Sequence, residues 1–293
     1  MRTIPTPSIN SSDFSGPVVI TGAGGMLGWD ITRLFKLWMG ESRVIPLGHG
    51  DLDVTDLPSI RKQFALLKPS AVINCAAYTN VDLAETERED AKALNQAAPG
   101  FLATGANEVG AHLIHFSTDQ VFDGRTEAPY TEEHPTHPLN QYAATKCLGE
   151  LPVIEAGGTV LRVQWLYGEK KDRFTYLKHK EVFTPFADQY GAPTWTEDIC
   201  RVVAAVLTQN IRGLYHLSYD DFASWAEVFA FVKEKLNLSV QLKPKLTKEV
   251  DLPAKRPEFS TLSNQKLISA LGWSKMGSWK DSLSEFLDQV GKQ

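Results

Sequence analysis

The chain has 293 residues, 43% of them hydrophobic, enough to bury a substantial core as one large domain or two modest ones. Its formal net charge of −5 gives no global basic surface, so nucleic acid and anionic membranes are poor partners and a small-molecule ligand fits better. The three cysteines, Cys75, Cys147 and Cys200, are widely spaced without a Cys-x-x-Cys pair, so neither a disulfide framework nor a metal site is indicated and a cytoplasmic location suits them.

Residues 1–15 hold Pro, Ser, Thr and Asn without an apolar block and read as a disordered tail, and no later run is long enough to span a bilayer. Residues 17–21 form a β-branched run that ends directly in Gly22-Ala23-Gly24-Gly25-Met26-Leu27-Gly28. Behind it Leu27, Ile31, Leu34, Phe35 and Trp38 recur at helical spacing. Strand, Gly-x-x-Gly-x-x-Gly and helix is the context a dinucleotide pyrophosphate requires, because glycines let the backbone approach and the helix start offers free N–H groups. Gly22, Gly25, Met26, Leu27 and Gly28 are the candidate contacts.

A second strand over 43–47 leads to Gly48-His49-Gly50, where an acid would normally receive the adenosine ribose hydroxyls. Without that acid nothing excludes a 2′-phosphate, so NADPH, or use of both NADPH and NADH, is expected. Asp53 either faces the adenine or punctuates the loop before the helix of Ile60, Phe64 and Leu67. Residues 71–77 are apolar with small residues at the end, as in a buried parallel strand that leaves room for a ligand. A helix over about 90–109 is expected to kink at Pro99. The strand over 111–116 closes in Ser117-Thr118-Asp119, where Thr118 either donates to a substrate oxygen or caps the strand end.

Residues 121–139 read as a loop whose His134 and His137 flank prolines and are solvated, not metal ligands. Asn140 can cap the next helix, on which Tyr142 and Lys146, four apart, share one face. That spacing is common on helix surfaces, yet an ammonium beside a phenol would lower a tyrosine from about 10 by about 1 to 3 units and ready it for proton exchange. Strands over 159–163 and 213–217 follow, and from Asp220 onward helices dominate. The fold class is α/β: a doubly wound parallel (Rossmann) sheet over 16–167, rejoined by 193–219, with a smaller, mostly helical C-terminal substrate lobe from 168–192 and 220–293. In the proline-rich basic loop 243–259, Arg256 either binds a phosphate or is a solvated surface residue.

Several blocks together carry a family resemblance: Gly22 to Gly28, residues 74–85, Ser117-Thr118-Asp119-Gln120-Val121-Phe122-Asp123-Gly124, the Tyr142/Lys146 pair and Asp188-Gln189-Tyr190-Gly191-Ala192-Pro193-Thr194. With them the sequence resembles the dTDP-4-dehydrorhamnose reductase family of the extended short-chain dehydrogenase/reductase superfamily, over about 18–273. The resemblance implies NAD(P)H-dependent reduction of the 4-keto group of a nucleotide-linked deoxysugar, with Thr118, Tyr142 and Lys146 as the catalytic set. It places Asp53, Val54, Ala76, Ala77, Tyr78 and Asn95, with Tyr142 and Lys146, at the cofactor. Thr79, Val81, Thr118, Asp119, Trp165 and Arg256 would meet the substrate, and a homodimer is compatible with the family. The chain departs from the pattern at Gln120, where a tyrosine is usual, and over 173–187, which is too short for the usual Asn-Phe and full helix plus a strand. A non-catalytic class, the regulatory β subunit of methionine adenosyltransferase, carries the same motif set and is the alternative, as is a reductase or epimerase of another nucleotide sugar.

Overall fold

Alternation along short β-branched runs decides how the sheet is clothed. The computed structural model describes residues 4–5 and 9–290. In it β1 (Val18–Thr21), β2 (Val44–Leu47), β3 (Ala71–Asn74), β4 (His112–Thr118), β5 (Thr159–Val163) and the strand Gly213–His216 form one parallel sheet. Val18, Ile20, Ala71, Ile73, Ile114, Phe116, Leu161 and Val163 feed one core. Val19, Val72, Leu113 and Val160 feed the other. A sheet apolar on both faces needs cover on both. Helices Met26–Met39 and Thr196–Thr208 bring Ile31, Phe35, Ile199 and Val203 to the first face. Helices Leu57–Leu67 and Ala98–Glu108 bring Ile60, Phe64, Leu102 and Ala106 to the second.

The strand order is Gly213–His216, β5, β4, β3, β1, β2. The chain therefore runs outward from β1 to β2 and then restarts on the other side at β3. Connections leaving the C-terminal ends of β1 and β3 diverge, and the crevice between them is where an open α/β sheet takes its ligand.

Three expectations need correction. The helix expected over 90–109 is Arg88–Lys92, a π-helical turn Ala93–Ala97 and Ala98–Glu108. Pro99, which cannot donate to the turn before it, directly follows the widened turn. Of the tail, Ile4 and Ile9 are packed, 4% and 3% exposed in the main core, and Arg43 Nη2 donates to the Phe14 and Gly16 carbonyls. Residues 1–3 and 6–8 of that segment lie outside the described residues. Two isoleucines in a polar stretch are enough to anchor it, though too few to form an apolar block.

The separate lobe is also smaller than expected. The helix Trp225–Lys235, opened by a Ser224/Glu227 capping box, belongs to it, as do the short pairs Val182–Phe183 with Gln241–Leu242 and Tyr190–Gly191 with Ala223–Ser224. Helix Gln265–Leu271, however, packs on the strand Gly213–His216, and helix Trp279–Val290 on Thr194–Trp195. One continuous core joins Phe229 and Val232 to Ile31 and Phe35, because these amphipathic helices find their apolar cover on the sheet side. Between Phe174 and Asp188 there is a 3-10 turn, Thr175–His179, and the strand Val182–Phe183, without a full helix. Among the described residues no helix is long and apolar enough to cross a membrane.

Candidate active site

Gly22 follows β1 at φ 64°, a left-handed conformation, and a Cβ there would lie 2.5 Å from the Ala76 nitrogen. At Gly28 a Cβ would lie 2.4 Å from the Gly22 carbonyl oxygen. These two glycines let the loop lie against β3 and let the helix start against the loop. Gly24 would meet nothing within 4 Å, and Gly25, the helix N-cap, only the Gly22 oxygen at 3.3 Å. The first turn carries no acid, so its unpaired N–H groups and positive end face the crevice uncompensated. That cradle fits a dinucleotide pyrophosphate. Gly25, Met26 and Leu27 line a cleft of about 530 Å³, which Gly22 and Gly28 shape from behind.

The floor is a buried polar chain. Thr21 Oγ1 donates to Asn74 Oδ1 at 2.8 Å, and the Ala76 N–H reaches the same oxygen at 3.1 Å. Asn74 thus turns its amide nitrogen to His115 Nδ1 at 3.0 Å, which makes Nδ1 the acceptor and leaves the imidazole proton on Nε2. Burial holds His115 well below the ordinary histidine range, so the ring is neutral. Its Nε2 lies 3.3 Å from Lys146 Nζ, which donates to the Phe116 carbonyl at 2.5 Å. Lys146 is 3% exposed, and burial pushes it down to about 8 against the opposing charge of Glu150.

Asn140 caps the helix Gln141–Glu155, its Oδ1 accepting from the Ala143 N–H at 2.8 Å. Tyr142 and Lys146 share its cleft-facing side with Thr118 at the end of β4. The expected lowering of the phenol by Lys146 does not hold. Burial and the neighbouring Asp119 charge push Tyr142 up to about 12, opposed by a hydrogen bond with Thr118 and the charge of Arg173. The Lys146 amine donates instead to the Phe116 carbonyl. Thr118 is both donor and cap, donating to Asp119 Oδ1 at 3.0 Å and accepting from the Gln120 N–H at 3.2 Å. Asp119 is buried, bonded by Ser260 Oγ as well, and burial raises it to about 6.

Ala76, Ala77, Thr79, Val81, Gln120, Trp165 and Arg256 also line the cleft. Trp165, at φ 47°, stacks on Trp225 with ring centroids 3.9 Å apart. Arg256 is no solvated residue: it pairs with both carboxylate oxygens of Asp82 at 2.7 and 2.9 Å, tying two loops at the cleft edge. Besides Gly22 and Gly28, four residues assigned to the cofactor lie outside the lining. Asp53 is turned back on Thr55, whose N–H and hydroxyl it accepts at 2.8 and 2.6 Å, and Val54 is buried in the core. The Tyr78 hydroxyl bonds Glu87. Asn95, fully buried on the π-helical turn, holds the Tyr78 backbone N–H and carbonyl at 3.0 Å each, so it positions the loop that carries Ala76 and Ala77.

Sequence reasoning missed Gln164, Arg173, Gln189, Trp225 and Ser260 in the lining, and His115 beneath it. The Gln164 Oε1 is buried without a hydrogen-bond partner. For His115 there was a signal, a titratable side chain between Ile114 and Phe116 in a strand buried throughout. Trp225 carried none, since it reaches the cleft only through the fold of the lobe.

A doubly wound sheet whose glycine loop and Tyr-x-x-x-Lys helix meet at the switch point defines the class: an extended short-chain dehydrogenase/reductase-type Rossmann protein. The family described as the RmlD substrate binding domain matches residues 16–292, and the chain belongs to that family. The chain is 37% identical over 282 residues to a probable dTDP-4,6-dihydroxy-2-methyloxan-3-one 4-ketoreductase of Streptomyces antibioticus, covering 93% of this chain and 95% of that one. It is 36% identical over 279 residues to dTDP-4-dehydrorhamnose reductase of Burkholderia thailandensis, covering 87% and 93%. The structure of dTDP-4-dehydrorhamnose reductase from Bacillus anthracis in complex with NADP superposes with a TM-score of 0.89 at 31% identity, covering 94% of this chain and 99% of that one.

Proposed function

We propose that this chain reduces the 4-keto group of a nucleotide-linked deoxysugar with NADPH. The observation that carries the reading is the convergence of Thr118, Tyr142 and Lys146 on the cleft opened by the glycine loop. A bound nicotinamide dinucleotide supplies the hydride. Tyr142, protonated at neutral pH, gives its hydroxyl proton to the carbonyl oxygen as that oxygen becomes negative, and Thr118 offers it a second hydrogen bond. Lys146, held by the Phe116 carbonyl, would hold the nicotinamide ribose.

Two of the acids beyond β2 are engaged within their own loop. Asp51 is turned onto the Gly48 N–H at 2.8 Å and Asp53 onto Thr55, which leaves room for the 2′-phosphate of NADPH. The sugar would lie between Thr79, Val81 and the Trp165/Trp225 stack. The regulatory-subunit alternative is not favoured, the relatives being named as reductases. Three free thiols suit a reducing cytoplasm. The test is NADPH oxidation with a dTDP-4-keto-6-deoxysugar: stoichiometric turnover is expected, and cofactor binding without turnover would sink the reading.

A further inference from the structure

The mechanism leaves a half-buried phenolate on Tyr142, and Lys146 is committed to the Phe116 carbonyl. Arg173 stands on the short segment between Leu166–Tyr167 and the Thr175–His179 turn. Its backbone is held from both sides. Phe174 is fully buried against Tyr167 and Phe229, with ring centroids 5.1 and 5.9 Å away, and Asp172 accepts from the N–H groups of Phe174 at 2.7 Å and Thr175 at 3.1 Å. The Arg173 side chain lines the same cleft as Tyr142. Its Nε is buried without a hydrogen-bond partner, and among the described residues no carboxylate pairs with it. A half-buried guanidinium whose Nε–H has no acceptor gains from a negative charge placed beside it.

The other charged and titratable groups facing Tyr142 across the cleft are Asp119, Cys75, Lys146, Lys171 and Arg256. Asp119 works against a phenolate, Arg256 is neutralised by Asp82, Cys75 stays a thiol because burial raises it, and Lys171 lies exposed at the mouth. Phenol and guanidinium favour each other's charged forms.

We propose that Arg173 is the cation that stabilises the Tyr142 phenolate, the part ordinarily given to the helix lysine. As the carbonyl carbon accepts the hydride, the Tyr142 Oη–H bond breaks and its proton passes to the substrate oxygen. The negative charge left on Oη faces Arg173 until a solvent proton restores the phenol. Arg173 is thus a positioning residue acting through Tyr142, and the inference rests on the reductase reading above.

Two measurements on the full chain test it. Nitration of Tyr142 by tetranitromethane at pH 8, followed by peptide mass spectrometry, reads its phenolate fraction without requiring turnover. Arg173→Gln should slow nitration at least fivefold, and Arg173→Lys should restore most of the rate. In turnover, Arg173→Gln should lower kcat about tenfold or more with little change in the KM for NADPH, and added guanidinium should recover part of it. Unchanged nitration in a folded Arg173→Gln protein overturns the proposal. So does a rise in sugar KM alone, which would make Arg173 a contact for a substrate anion. Should the parent fail to turn over the sugar, the reductase reading falls while the nitration comparison still decides this one.

Discussion

A general acid must hold its proton until the substrate needs it, and Tyr142, pushed up to about 12, is fully protonated at neutral pH. Tyr142→Phe should therefore lower turnover about 10²- to 10⁴-fold while cofactor affinity stays near the parent's, and equal turnover under chemistry-limited conditions would remove it from the mechanism. Asp119 makes a pH prediction. Its carboxyl is raised from 3.8 to about 6, so between those values the folded state binds a proton that the unfolded state has lost. Its contribution is thus most favourable below pH 4 and declines as pH rises toward 6, by about 1.4 kcal/mol per pH unit at most. Asp119→Asn should gain stability relative to the parent on going from pH 4 to pH 7. A difference in melting temperature that does not move with pH would contradict this. Tyr142 and Lys146 were legible as a pair because one helical turn sets them on one face, whereas Thr118 joined them through the family resemblance. Arg173 and Trp225 were not, since tertiary contacts alone carry them to the cleft.

The helix that carries Tyr142 and Lys146 is pinned from its far end. Glu150 accepts from Arg162 Nε and Nη2 of β5 at 2.9 and 2.7 Å, and from Ser117 of β4, with both charged side chains nearly buried. Glu150→Ala would leave Arg162 charged in the interior, a loss of about 3–5 kcal/mol expected in urea unfolding. Were the loss below about 1 kcal/mol, the pair would not be the anchor described. The glycine loop is constrained in another way: Gly28→Ala places a methyl 2.4 Å from the Gly22 carbonyl oxygen, so the loop must shift. Dinucleotide affinity should fall at least tenfold by calorimetry, with the melting transition retained; unchanged affinity would show that the loop does not need this close approach. Strands, loop and helix were readable here from alternation and glycine spacing. The π-helical turn at Ala93–Ala97 was not, because nothing in local periodicity marks one extra residue in a turn.

Across the whole molecule the parallel, doubly wound sheet followed from repeated strand and helix, but the boundary of the C-terminal lobe did not, because amphipathic helices do not state which surface they will cover. The N-terminal anchor was hidden for a related reason, since composition averages over the two isoleucines that matter. Ile9→Ala should cost about 2 kcal/mol, the low end for a buried isoleucine because a terminal segment can relax, and should leave activity intact. A denaturation midpoint equal to the parent's would show that the segment is not part of the core. Ile4 borders a cavity shared with Ser282, Glu285 and Asp288 of the helix Trp279–Val290, and Leu283 and Phe286 of that helix lie in the same core. On the ribosome this pairing sets an order of events. The segment around Ile4 emerges before β1, yet the helix that borders its resting place is the last described element to be made, so the nascent chain must carry Ile4 without that neighbour through nearly all of its synthesis.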